Sequence, residues 1–162
     1  MAYKDYIGTS SWSRGQKREE EFGEILKRRY PDARPAILSE QYQGIDWVCE
    51  KGAIDVKAMK RISRGSEIQS EFIWVEFKNN IGHDGWLYGE QDWIAFEASD
   101  RYVLVKRSEL LSYCLAVCDL ENRVDQAKDA LYRGYTRSGR KDLIAMIRFD
   151  DLFKIDNYAL MK

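Results

Sequence analysis

Histidine is almost missing from this 162-residue chain, and the scarcity removes several chemistries at once. His83 alone cannot supply a Ser-His-Asp triad, an H-E-x-x-H zinc site or a Cys/His finger. Nor does the chain carry a G-x-x-x-x-G-K-S/T phosphate loop or a G-x-G-x-x-G dinucleotide fingerprint. Any catalysis would therefore rest on carboxylates, lysines and a metal. Cysteine is sparse too: Cys49 is isolated, and Cys114 and Cys118 stand one helical turn apart with no further ligands nearby. That odd set reads as reduced packing residues of a cytosolic protein. No apolar run approaches the ~20 residues of a membrane span. The opening Met-Ala-Tyr-Lys-Asp-Tyr lacks the apolar core of a signal peptide. These absences lead us to expect a cytoplasmic protein with no membrane partner. With no internal repeat, low-complexity tract or visible boundary, residues 1–162 read as one domain, long enough to bury a core without staples.

What is present is a globular balance, 44% hydrophobic against 33% charged residues, with a net charge of −1 that by itself announces no polyanion. Local distribution matters more than the sum. Basic residues gather at Lys57, Lys60, Arg61 and Arg64, at Lys106 and Arg107, and at Arg133, Arg137, Arg140 and Lys141. Each group could equally be a solvated face.

The stretch Gly44 to Lys60 organises the chain and reads as a β-hairpin. Ile45, Trp47 and Val48 fill one arm, Glu50-Lys51-Gly52 makes a polar turn, and Ala53 to Val56 begins the return. Aspartate is depleted in strands, yet Asp46 opens one arm and Asp55 sits inside the other. Strand alternation puts Asp55 and Lys57 on one face, and a hairpin brings Asp46 toward them. Two carboxylates and an ammonium at one point suit phosphodiester hydrolysis. Carboxylate oxygens hold Mg²⁺, the ion acidifies a bound water, and the lysine orients that water and adds positive charge at the transition state. A surface hairpin with solvated acids is the plainer alternative.

Asp46, eight intervening residues and then Asp55-Val-Lys57 resembles the D…DxK signature of the PD-(D/E)XK nuclease superfamily. The resemblance implies an α/β, restriction-endonuclease-like core: a helix, a three-stranded meander, then further strands and helices around a mixed sheet. It implies a metal-dependent nuclease acting on DNA in a bacterial or phage-infected cell, with Mg²⁺ as cofactor and Mn²⁺ able to substitute. Asp46 and Asp55 would bind the metal and Lys57 would position the attacking water. A Glu on the first helix often joins this site, and the helical stretch Arg14 to Tyr30 offers one. Phe22, Ile25 and Leu26 form its apolar stripe, and Glu19 lies in line with them whereas Glu20, Glu21 and Glu24 point away. Metal ligation is therefore assigned to Asp46, Asp55 and Glu19.

The remaining elements follow that family's order from about residue 15 to 107. Ala36 to Gln43 reads as a first strand, 61–71 as a polar loop, and Phe72 to Lys78 as a strong strand. That strand holds a second E-x-K, Glu76 and Lys78; the Asp46 spacing favours the first pair, and Glu76 is an added ligand or water-positioning group. Gly85-Trp-Leu-Tyr-Gly-Glu-Gln-Asp-Trp-Ile-Ala-Phe96 is similar to a segment of phage and bacterial members. Strands follow at Asp92 to Glu97 and Tyr102 to Lys106, then a helix from an N-capping Ser108 through Cys118. Helical character continues over Asp119 to Leu131. The loop Arg133 to Lys141 is basic with one aromatic, Tyr135, which suits phosphate and base contacts. Leu143 to Phe149 is a last strand. Lys60, Arg61, Arg64, Arg133, Arg137 and Arg140 are the candidate nucleic-acid contacts. A homodimer, required if the substrate is a four-way junction, would draw on Trp86, Trp93 or Tyr135. The alternative of another class is a catalytically inactive binding or protein-interaction module on the same fold, favoured by Asp in place of the commoner Glu in D-x-K.

Overall fold

A computed structural model describes residues 10–162, with side chains described from Ser13. In chain order the elements are α1 (Ser10–Arg29), β1 (Arg34–Pro35), α2 (Leu38–Gln41), β2 (Trp47–Cys49), β3 (Gly52–Lys57), β4 (Lys60–Arg61), β5 (Ile68–Gln69), β6 (Phe72–Lys78), β7 (Trp93–Glu97) and β8 (Arg101–Lys106), followed by α3 (Arg107–Val117), β9 (Asp119–Val124), β10 (Arg133–Tyr135), β11 (Leu143–Arg148) and β12 (Asn157–Met161). Short 3₁₀ turns lie at Trp86–Tyr88, Ala127–Asp129 and Phe149–Lys154. The chain is thus mixed α/β. It gathers into two compact units, one of Met1–Ala58, Glu90–Leu104 and Tyr158–Lys162, the other of Met59–Gly89 and Val105–Asn157.

The first unit is a mixed sheet in the order β1-β2-β3-β7-β8-β12 with α1 packed on it. β2 and β3 are antiparallel, as a tight hairpin requires, and β3 and β7 are parallel. Phe22, Ile25, Leu26 and Tyr30 bury the apolar stripe of α1 against Trp47, Ile54, Val56, Ala95, Tyr102 and Leu104. Phe22 meets Tyr102 edge-on at 5.1 Å between ring centroids. Lys27, Arg28 and Arg29 in the last turn complement the helix dipole, and Pro31 closes the helix.

The second unit is a sheet in the order β6-β11-β10-β9 with α3 and the two-stranded ribbon β4–β5. Ile73, Val75 and Phe77 alternate into its core along β6, and Ile144 to Ile147 are buried along β11. Asp151, 1% exposed, accepts hydrogen bonds from the Tyr113 and Tyr132 hydroxyls (2.6 Å each), the Lys154 ammonium (3.0 Å) and the Arg148 N–H (2.9 Å).

Several expected elements take other forms. α1 starts at Ser10, ahead of Arg14; the irregular lead-in expected over 1–13 otherwise lies outside the described residues. The strand expected over Ala36 to Gln43 shrinks to Arg34–Pro35 followed by the one-turn α2, because Glu40 accepts the Ile37 N–H (2.9 Å) and takes both Arg34 nitrogens (2.8 and 3.1 Å). The polar loop 61–71 contains the ribbon β4–β5. α3 begins one residue before Ser108, with Lys106 at the N-cap position, and buries Leu110 and Cys114 whereas Leu115 is exposed. Asp119 to Val124 is a strand rather than helix: it runs parallel to β10, and Gly134 leaves room for it, since a Cβ there would lie 2.6 Å from the Leu120 carbonyl oxygen.

Candidate active site

The hairpin β2–β3 turns at Glu50-Lys51, and Gly52 enters β3 at φ +122°, a left-handed region that favours glycine. A side chain at Gly52 would also collide with the Asp92 carboxylate. Asp92 needs that space: its Oδ2 accepts the Ala53 N–H (2.8 Å) and its own N–H donates to the Ala53 carbonyl (2.9 Å). This pair of hydrogen bonds between chain segments sets the β3–β7 register, Asp55 beside Ile94 and Lys57 beside Phe96. Ile54 and Val56 go into the apolar cluster under α1, so alternation turns Asp55 and Lys57 to the opposite face.

Asp46 stands where ladder pairing gives out, immediately before β2. Its N–H donates to the Ile54 carbonyl (2.8 Å), its carbonyl accepts the Ala36 N–H (2.9 Å), and its Oδ2 accepts the Val56 N–H (2.7 Å). The side chain thus completes the backbone pairing of β3 next to Asp55. Asp55 itself is 4% exposed, and its Oδ2 accepts from the Lys57 Nζ and from the Gln91 Nε2, each at 3.0 Å. Gln91 is 2% exposed and sits two residues ahead of β7.

Glu19 arrives from α1, placed by Trp47. The Trp47 Nε1–H donates to the Glu19 carbonyl (2.9 Å), and the indole lies flush on Gly23, where any Cβ would fall 2.5 Å from Cε2 and Cη2. The Glu19 side chain hydrogen-bonds Asp46. Glu19, Asp46, Asp55 and Lys57 therefore come together, from a helix, a hairpin arm and its return arm.

The electrostatics follow from that crowding. Burial raises the Asp46 carboxyl well above the aspartate range, repulsion from Asp55 and Glu19 adds to it, and the Val56 N–H and Lys57 only partly oppose it. Glu19 is raised by burial and then by Asp55, against its bond to Asp46 and the Lys57 charge. Without a cation, the Glu19–Asp46 pair holds a proton more tightly than free carboxyls do. Among the described residues, no group of three or more His, Cys, Asp or Glu is arranged to hold a metal ion as the side chains stand. One oxygen of Asp55 is engaged by Lys57 and Gln91 and one of Asp46 by Val56. The donor set is nonetheless all oxygen and mutually repelling, the chemistry that a hard divalent cation satisfies.

The other expected site residues are distributed as follows. Glu76 belongs to the second unit, where its Oε1 accepts the Trp86 N–H (3.2 Å). Lys60, Arg61 and Arg64 are exposed on and beside the β4–β5 ribbon, with the Arg61 guanidinium bonded to the Ser66 carbonyl. Arg133 and Arg140 are exposed, whereas Arg137 is held by Asp142 (2.6 Å) and Asn80 (3.0 Å). Tyr135 lies beside Trp74, their ring centroids 6.0 Å apart. Glu21, expected to point away, is half-buried and accepts the Tyr102 hydroxyl (2.8 Å). Gln91, Asp92, Trp47 and Gly23 are positioning residues that sequence reasoning passed over. A glycine inside a helical pattern was the one available signal, for Gly23.

A scan against protein-family models finds no match, and searches of the curated proteins and of the solved structures return none.

Proposed function

We propose that this chain is a metal-dependent nuclease hydrolysing DNA phosphodiester bonds, and that its first unit is a restriction-endonuclease-like core of the PD-(D/E)XK type. The observation that carries the reading is the meeting of Glu19, Asp46 and Asp55 with Lys57, whose Nζ lies 3.0 Å from the Asp55 Oδ2. Among the described residues, three crowded acids around one bonded ammonium are costly to a fold and useful to an enzyme. Asp46, Asp55 and Glu19 would hold Mg²⁺, or Mn²⁺ in its place, and the bound ion would supply a Lewis acid and a more acidic water.

The chain's own part is positional. Asp46 is fixed through one oxygen by the Val56 N–H and Asp55 through one oxygen by Gln91 and Lys57, so seating an ion would take a small rearrangement of side chains whose positions the backbone already sets. Lys57, 28% exposed along its side chain, reaches both Asp55 and solvent. There it orients the attacking water and places positive charge beside the phosphate. Water adds to phosphorus in line, the bond to the 3′ oxygen breaks, and a 5′-phosphate remains. The exposed Lys60, Arg61, Arg64, Arg133 and Arg140 are assigned to the phosphate backbone.

One observation favours the second reading, a binding or protein-interaction module that does no chemistry: the acids as they stand form no ready metal-holding group. Cleavage of a panel of duplex, single-stranded, flapped and four-way-junction DNA in Mg²⁺, Mn²⁺ or EDTA decides between them. The expected result is metal-dependent cutting that Asp46→Asn and Asp55→Asn each abolish. Cutting at the wild-type rate by either variant refutes the assigned site. Tight binding without cutting in either metal establishes the module.

A further inference from the structure

Among the described residues, the three most exposed large apolar side chains all fall within residues 37–42: Ile37 (60%), Leu38 (61%) and Tyr42 (76%). Scattered exposed apolar residues need no explanation, but a cluster does. This one is held rigidly. The bidentate Arg34–Glu40 pair clamps the turn (2.8 and 3.1 Å), Glu40 accepts the Ile37 N–H (2.9 Å), and the Gln41 amide donates to the Ala36 carbonyl (3.1 Å). The Tyr42 N–H donates to the Leu38 carbonyl (3.1 Å), which stacks those two side chains one turn apart. A one-turn helix with no buried residue is thus fixed with its apolar side in water.

Its place in the chain indicates what it meets. The Ile45 N–H donates to the Glu40 carbonyl (3.1 Å) and the Ala36 N–H to the Asp46 carbonyl (2.9 Å), so both ends of the turn are bonded to the segment that leads into β2 and includes Asp46. The surroundings are basic: residues 27–42 carry four cations and two acids in a chain whose net charge is −1. Lys27, Arg28 and Arg29 are exposed in the last turn of α1, which contacts β1.

Resting on the nuclease reading above, we infer that Ile37, Leu38 and Tyr42 form a base-stacking wedge beside the carboxylates, and that the substrate is DNA with unpaired bases at the scissile position. Exposed aromatic and aliphatic side chains gain little from an intact stack of base pairs but take up the face of an unstacked base, while the cations hold the flanking phosphates.

The test compares wild type with Ile37→Ser/Leu38→Ser/Tyr42→Ser, three substitutions at exposed side chains. Thermal unfolding of the two should coincide. Binding of single-stranded, flapped and blunt duplex oligonucleotides is read by fluorescence anisotropy in EDTA, and cleavage in Mg²⁺. The expected result is roughly tenfold or greater weakening on single-stranded and flapped DNA, the scale of losing one base–aromatic stack, with duplex binding within about twofold. Equal loss on all three, or none, in a protein whose cutting still depends on Asp55, overturns the wedge and leaves the nuclease standing. A wild-type dimer that the triple variant renders monomeric by analytical ultracentrifugation overturns it in favour of a subunit interface. Wild-type protein that neither binds nor cuts any of the three removes the nuclease reading and the wedge together.

Discussion

Two glycines in one helix should respond to the same substitution with opposite signs. Gly15 and Gly23 both lie in α1. Among the described residues nothing approaches within 4 Å of a Cβ built on Gly15, whereas a Cβ on Gly23 would sit 2.5 Å from two atoms of the Trp47 indole. Alanine in a helix interior is favoured over glycine by ~1 kcal/mol, so Gly15→Ala should stabilise by up to about that amount. Gly23→Ala gains the same propensity but must drive the indole off the helix. Overpacking a buried site costs ~1–3 kcal/mol, and losing the Trp47–Glu19 hydrogen bond costs ~0.5–1.5 kcal/mol more. The net is a loss of ~2 kcal/mol, a fall in Tm of ~4–8 °C for a chain of this length. Thermal unfolding followed by circular dichroism reads both variants under one set of conditions. On the proposed nuclease reading, cleavage should fall with Gly23→Ala and hold with Gly15→Ala, because the Gly23→Ala helix can no longer seat Glu19 against Asp46. Shifts of the same sign in both variants would refute the idea that Trp47 docks on Gly23 to place Glu19.

Two further outcomes follow from the charges. A carboxyl whose pKa is raised by folding binds protons more tightly in the folded state, so its contribution is fullest below the ordinary aspartate value, ~3.9, and is lost as pH rises through the folded value. Asp46 is such a group. Asp46→Asn should therefore be more stable than wild type in EDTA at neutral pH, with the gap closing as the solution is acidified and shrinking on Mg²⁺ addition. A variant less stable than wild type at neutral pH and in EDTA would contradict the crowding described. Asp151 has the reverse sign: burial pushes its carboxyl up, but hydrogen bonds from Tyr113, Tyr132, Lys154 and the Arg148 N–H outweigh it and hold it below the usual range. Its stabilisation is present above ~3.9 and lost as pH falls below it. Asp151→Ala should cost ~2–4 kcal/mol by leaving buried partners unsatisfied, read as a lowered urea midpoint at neutral pH; a midpoint within error of wild type would refute it.

The hairpin was legible because its information is local. A tight polar turn, alternating apolar residues and two aspartates out of place in strands are all carried within residues 44–57. Glu19 was legible for a similar reason, since helical periodicity alone sets it in line with Phe22, Ile25 and Leu26. What failed was set by distant partners. The polar run Asp119 to Val124 forms a strand only because β10 accepts it. Residues 36–43 lose their strand to a clamp between Arg34 and Glu40, six positions apart. Gln91 gives no sign of its role, because the group it serves lies 36 residues earlier.

The buried acids elsewhere among the described residues are paired differently from the carboxylate cluster. Glu97, whose side chain is wholly buried, faces Arg14 at 2.9 Å, Lys162 at 2.9 Å and Arg18 at 3.5 Å. Asp142 is paired with Arg137 at 2.6 Å, and Asp151 with Lys154 and two hydroxyls. In each case folding has removed a charge from water and supplied cations or hydroxyl donors in return, and at Asp151 these outweigh burial and hold the carboxyl low. At Glu19, Asp46 and Asp55 the bonded cation is Lys57, and two of the three carboxyls are pushed upward instead of down. Among the described residues this set has fewer bonded cations per carboxyl than those acids have, and Asp92, Trp47 and Gln91 all act to hold it in place. Among the described residues the set holds two upward-shifted carboxyls beside one bonded ammonium, the electrostatic condition that the proposed divalent cation would relieve.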